Sequence, residues 1–166
     1  MCIRDRSKSF NKASPLAMAY GGHQFGNWVS QLGDGRGILF GQIDSSEGLV
    51  DLHIKGAGKT PYSRFGDGRA VIRSSVREHL CGEAMFGLGI PSSRSLMLFG
   101  SNEPVMREET ERGAMIVRTA KTHIRFGHFE YFHHNKITDG VKTLLDHVID
   151  CYLSLIHISE PTRQLQ

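Results

Sequence analysis

Residues 51–78, DLHIKGAGKTPYSRFGDGRAVIRSSVRE, constrain the fold more than any other stretch of the chain. Val50, Leu52 and Ile54 alternate with Asp51, His53 and Lys55, the period of a β-strand. A loop rich in Gly, Pro, Ser and Arg follows. A helix is predicted over 70–88, because Ile72, Val76, Leu80 and Ala84 recur at four-residue spacing. Lys55 ends the strand and Glu78 lies within the helix, which predicts an ion pair beside a phosphate site. Two charges at about 4 Å in a partly shielded place attract by roughly 4 kcal/mol, enough to hold an ammonium group still.

The GAGKT within this stretch is not a P-loop. That motif needs G-x-x-x-x-G-K-[ST], and its first glycine would fall on His53. A P-loop also opens directly into a helix, whereas Thr60 is followed by Pro61-Tyr62-Ser63, a turn or extended loop. A strand lysine pinned by a helix glutamate is instead the arrangement of protein kinases.

The glycine-rich QLGDGRG, residues 31–37, is the second informative stretch. Gly33, Gly35 and Gly37 let backbone N–H groups approach an anion, and Arg36 adds a charged fork. It is not the dinucleotide fingerprint G-x-G-x-x-G, since the last position is Ile38 and a strand follows. A Gly-Asp-Gly turn is also a common hairpin element. Residues 45–48 form a turn that joins the strand from Ile38 to the strand from Val50 as an antiparallel hairpin. That hairpin delivers Lys55 to the 33–37 loop, where a phosphate would bridge them.

Beyond the helix, residues 94–100 read as a strand, and 105–107 with 114–118 as a second hairpin. Cys81 lies near the apolar helix stripe and reads as a small core residue. Arg118 and Arg125 are candidates for an anion. His128, His133 and His134 lack a carboxylate or cysteine at ligand spacing, so no metal site is assigned to them. Val141, Leu144, Leu145, Val148, Ile149 and Tyr152 follow helical period over 137–152 and predict a core-facing helix.

With 166 residues, 39% hydrophobic and 22% charged, the chain is long enough for one modest domain with a core. A formal charge of +3 is too small to imply a nucleic-acid partner. Three scattered cysteines offer no disulfide framework, and no apolar run approaches membrane-spanning length. A cytoplasmic protein without membrane partners is expected. Residues 1–7 and 154–166 look like translated adaptor read-through, so 8–153 is taken as the genuine segment, cut from a longer protein.

Four motifs together, GGHQFGNWVSQLGDGRG, LHIKGAGKTPYSRFGDGRAVIRSSVREHLCGEAM, LGIPSSRSL and HIRFGHFE, closely resemble the selenoprotein O family of protein adenylyltransferases. The resemblance spans about 17–130. It implies an α+β fold like the N-terminal lobe of a protein kinase, a twisted antiparallel sheet with a packed helix, cut off before the catalytic lobe. It implies ATP bound in a flipped orientation, with AMP transferred to Ser, Thr or Tyr hydroxyls of protein substrates. Carried over by motif, Gly33, Gly35, Arg36, Asp67 and Gly68 contact the nucleotide. Lys55 holds phosphate with Glu78 as its partner, and Arg118 and Arg125 complete the phosphate shell. Three arginines, a lysine and backbone amides suit a tetra-anionic nucleotide.

Two positions depart from the family pattern: His53 stands where glutamine is expected and Gly37 where alanine is usual. The resemblance puts the catalytic aspartate and the ligands of Mg2+ in a C-terminal lobe beyond this segment, so no catalytic or metal residue is assigned here. The fragment alone is expected to be inactive. The alternatives are a nucleotide-binding module or pseudokinase without transfer activity, and a phosphoryl-transferring kinase.

Overall fold

The computed structural model describes residues 15–46 and 48–153; the readings made for 1–7 and 154–166 lie outside them. A short hairpin comes first, β1 (Gly22–Gln24) with β2 (Asn27–Val29). The main sheet is built from β3 (Gly37–Ser45), β4 (Gly48–Lys55), β5 (Ala70–Val71), β6 (Arg94–Met106) and β7 (Thr110–Ala120). Helix α1 (Ile72–Gly87) lies between β5 and β6, and α2 (Phe126–His134) and α3 (Thr138–Tyr152) follow β7. The architecture is α+β with antiparallel pairing throughout the described sheets.

Strand β7 is the axis of the sheet. β4 pairs with its residues 116–120 and β5 with 113–114, so these two lie end to end along one edge. β6 runs along the other edge, and β3 pairs with the far side of β4. The predicted 38–54 hairpin is present, closed at Ser45↔Gly48, and its open end pairs Gly37 with Lys55. Ala70, Val71, Val105, Ala114, Ile116 and Val117 are buried around β7 and form most of a small apolar core.

Several expectations are corrected. The helix begins at Ile72 rather than at 70, because Ala70 and Val71 pair with Ala114 and Gly113 and are held extended. The predicted strand 94–100 and the arm 105–107 are one long strand, with a register irregularity between Gly100 and Pro104. Pro104 has no N–H to give a ladder, and that irregularity is where the strand tolerates it.

The apolar stripe of α1 does not face the sheet. Val76 and Leu80 are 38% and 60% exposed, and Cys81 is exposed as well. The inward residues are Ser75, which is buried, together with Glu78 and Gly82. A Cβ at Gly82 would come within 3.0 Å of the Ser93 carbonyl oxygen, so the helix approaches β6 closely on small and polar residues. Glu78, which pairs with Lys55 and Arg118, lies on that inward face.

On β4 the polar positions are likewise the buried ones: Asp51 is 4% and His53 1% exposed. Helix α3 forms where its period predicts, but none of its residues is fully buried. Among the described residues no helix is long and apolar enough to cross a membrane.

Candidate nucleotide site

One cavity of about 770 Å3 opens beside the junction of β3, β4 and β7, within the size range of small-molecule sites. Gly33, Gly35, Arg36, Lys55, Asp67, Gly68, Arg118 and Arg125 all line it. These residues come from five separate stretches of sequence. Glu78 stands behind Lys55 and reaches the cavity through it. The structure therefore brings every sequence-predicted residue to one place.

Lys55 Nζ is in direct contact with Glu78 Oε2. Glu78 Oε1 lies 3.1 Å from Arg118 Nη1, so one carboxylate holds two cations. Their side chains are only 14–28% exposed. Burial pushes Lys55 below the ordinary lysine range, against the pull of Glu78, and neighbouring Arg118 and Arg36 add to the fall. Burial alone would raise Glu78, but Lys55, Arg118 and Arg36 together hold it below the usual carboxylate range. Arg118 Nε is buried without a hydrogen-bond partner among the described residues.

The loop of residues 31–36 does not close a hairpin between neighbouring strands; it links the β1–β2 hairpin to β3. Thr60 Oγ1 donates to the Asp34 carbonyl at 2.7 Å, and Ser63 Oγ donates to that of Gly35 at 2.6 Å. A Cβ at Gly33 would meet the Tyr62 side chain at 2.4 Å, and one at Gly35 the Tyr62 carbonyl oxygen at 2.8 Å. The two glycines therefore admit the 60–63 turn before any ligand arrives. GAGKT is confirmed as no P-loop, since Lys59 is exposed and α1 starts only at Ile72.

Gly68 is required for a different reason. Its φ is +73°, in the left-handed region, and a Cβ there would sit 2.1 Å from Gly58 backbone atoms. Asp67 beside it is engaged twice by Arg107, at 2.8 and 3.0 Å. That fork lowers its carboxyl to about 2. Its backbone and ring of neighbours shape the cavity, while its carboxylate clamps the 64–69 loop to the end of β6. Arg125 caps α2 and lays its guanidinium 4.8 Å over the Tyr20 ring, a cation–π contact that holds it at the cavity wall.

Sequence reasoning missed Arg107, Asp34 and His53, which also line the cavity. Asp34 is 5% exposed and accepts from the Met18 N–H at 3.2 Å and from His53. A signal for His53 existed: it lies two residues before Lys55 on a strand and so shares its face. The cations Arg36, Lys55, Arg64, Arg118 and Arg125 outnumber the lining carboxylates Asp34 and Asp67, both already committed to partners. Such a cavity concentrates a polyanion.

Comparison with known proteins gives a concordant result. The family model for "Protein adenylyltransferase SelO" matches residues 3–165. The chain is 56% identical over 146 residues to the protein nucleotidyltransferase YdiU of Pseudomonas fluorescens (strain SBW25), covering 87% of this chain and 30% of that protein. Identity to the Myxococcus xanthus protein of the same name is 59% over 136 residues, 81% of this chain and 28% of that one. For the Stutzerimonas stutzeri protein it is 54% over 156 residues, 93% and 32%. The chain thus spans about 30% of the length of these curated relatives. With a family model matching nearly its whole length, and with these relatives, the chain belongs to the SelO family of protein adenylyltransferases.

Proposed function

We propose that this chain is the ATP-binding portion of a protein adenylyltransferase, a kinase-like lobe that fixes the triphosphate while AMP passes to Ser, Thr or Tyr hydroxyls of protein substrates. The observation that carries the reading is the convergence of Lys55, Arg118, Arg36 and Arg125 on one glycine-bordered cavity, with Glu78 holding two of them. The names of the family and of the relatives point the same way.

The chemistry follows from the arrangement. Transfer of AMP requires attack at the α-phosphorus, with pyrophosphate as the leaving group. The leaving group gains negative charge as the bond breaks, so fixed cations around the terminal phosphates stabilise the transition state more than the ground state. Lys55 and Arg118 are suited to this because Glu78 holds them in place before the nucleotide arrives. Arg36 brings a bidentate fork from the glycine loop. Gly33 and Gly68 let the 60–63 turn and the Gly58 backbone pack closely around the cavity.

The carboxylates at this cavity do not fit a divalent cation. Asp34 is committed to His53 and the Met18 N–H, Asp67 to Arg107, and Glu78 to Lys55 and Arg118. The described residues include no group of three or more His, Cys, Asp or Glu able to hold a metal ion. Magnesium ligands and the base that activates the hydroxyl are therefore sought in the rest of a full-length protein carrying this segment.

The test is incubation of such a full-length protein, and of this chain alone, with ATP labelled at the α- or the γ-phosphate. Label reaching protein from the α-position in the full-length sample, and none with this chain alone, is the expected result. Label from the γ-position would mean phosphoryl transfer, and binding without transfer by either sample would mean a non-catalytic nucleotide-binding module.

A further inference from the structure

His53 occupies the wall between Asp34 and Arg118, and the chemistry of its neighbours fixes its state. Arg118 Nη2 lies 2.9 Å from His53 Nδ1, and a guanidinium has only donors to offer. Nδ1 must then be the acceptor, which leaves the ring proton on Nε2, 3.3 Å from Asp34 Oδ2. The imidazole thus donates to a carboxylate on one side and accepts from a guanidinium on the other. Its face stacks on His123 at 4.9 Å, and His123 Nδ1 in turn lies 3.5 Å from Asp51 Oδ2. The ring is 1% exposed.

Room for this ring comes from Gly37. A Cβ built there would meet His53 Cε1 at 2.4 Å, closer than any side chain tolerates. The cross-strand register also places His53 directly opposite Arg118 on β7. Arg118 is therefore held at two points, by Glu78 on α1 and by His53 on β4.

We propose that His53 is a positioning residue for Arg118: a neutral imidazole, protonated at Nε2, that links Asp34 to the guanidinium and sets its direction into the cavity. A second proton on Nδ1 would remove the acceptor and put a cation against Arg118, so the link exists only while the ring is neutral. Burial favours that neutral form, and the charge of Arg118 favours it further, against Asp34. The groups that face the ring or its partner are Asp34 from the glycine loop, Arg118 from β7, His123 after β7, and Glu78 from α1. Asp51, Arg125, Lys55 and Arg36 lie one contact further away. The importance of this link to function rests on the nucleotide reading above, but its existence does not.

Long-range 1H–15N spectra of the intact chain test the link directly. A neutral ring with unprotonated Nδ1 is expected at pH 7, and it should stay neutral below the ordinary histidine pKa of about 6.5. The functional arm is ATP affinity of the intact chain as a function of pH. His53→Ala should weaken ATP binding at least tenfold and flatten its pH profile between 5 and 7, whereas His53→Gln, which keeps a donor and an acceptor, should recover most of the affinity. Gly37→Ala should weaken binding in the wild-type background and have little effect in the His53→Ala background, since the clash is with the ring. A charged or Nδ1-protonated ring at pH 7, or a His53→Gln protein as weak as His53→Ala, overturns the proposal. If the wild-type chain binds no ATP at any pH, the nucleotide reading falls. The spectra then decide: a neutral Nε2–H ring whose replacement shifts the Arg118 side-chain resonances supports the link, and any other pattern overturns it.

Discussion

Around the cavity, Asp34, His53, Lys55, Glu78 and Arg118 are partly or fully buried, and each has an ionic or hydrogen-bonded partner. On the outer side of α1, Val76, Leu80, Met85 and Phe86 are 38–60% exposed, and Arg94 lies over the Phe86 ring at 3.9 Å. The buried side chains around the cavity are thus polar and paired, while much of the apolar surface of α1 is uncovered. Buried ion pairs are a weak source of stability, because desolvation offsets much of their attraction. What such a network does supply is fixed geometry: Lys55 and Arg118 cannot swing away while Glu78 holds both. A region built this way is better explained by a ligand than by folding.

The sharpest way to break the comparison is at its two lysines. Lys55→Ala should raise the Kd for ATP about ten- to a hundredfold, since a charge-assisted contact contributes roughly 1.5–3 kcal/mol. Lys59→Ala, on the exposed loop, should change it by less than about threefold. Fluorescence titration of both variants checks this, and a reversed order would return lysine function to the GAGKT loop.

Glu78→Ala comes next, because it leaves Lys55 and Arg118 facing one another. Breaking a fully buried pair costs about 3–5 kcal/mol; with these groups about a quarter exposed, a loss of about 1–3 kcal/mol is expected in urea denaturation. No loss of stability would mean that the network is not formed in solution.

How much of this was legible beforehand differs between the two regions. The strand ending at Lys55, the hairpin before it and the glutamate in the next helix could all be read, since each depends on local period. The inward face of α1 could not. Ile72, Val76, Leu80 and Ala84 satisfy a four-residue period, yet the helix turns Ser75, Glu78 and Gly82 to the sheet. A long-range ion pair and a close backbone approach at Gly82 lie on that inward face, and neither is visible in the local period. Local pattern places Ala70 and Val71 in the helix for a similar reason: their partner strand lies some forty residues away in sequence. His53 carries no local signal of its contact with Arg118, which is 65 positions distant. The departures at 37 and 53, which stood as unrelated in the sequence, are one steric fact in the structure.

Acid should separate the regions further. His53 and His128 are held below the ordinary histidine value of 6.5, in both cases first by burial. The unfolded chain therefore binds more protons than the folded one below pH 6.5, and stability falls as pH drops through that window. Asp34, Asp51 and Glu78 are also held below their ordinary values, despite burial, by His53, by His123 and by Lys55 with Arg118. Their contribution is present above the ordinary carboxylate range and is lost as pH falls through their folded values. Urea midpoints should thus decline in two stages, the first already evident between pH 6.5 and 5.5. A flat profile down to pH 5 would show that the buried rings carry no linkage.

The smallest effect is expected on the outer face. Leu80→Ser should alter stability by no more than about 0.5 kcal/mol, because that side chain is 60% exposed, and ATP affinity should not change. Thermal melting with a parallel ATP titration checks it.

The central claim is that this cavity recognises phosphate. Isothermal titration of the wild-type chain with ATP, AMP and adenosine at matched ionic strength tests it most directly. The account predicts affinity falling steeply in that order, with the ATP value weakening as salt is raised, because exposed and partly shielded charges are screened over about 10 Å at 0.1 M salt. Adenosine binding as tightly as ATP, or ATP binding that ignores salt, would contradict it.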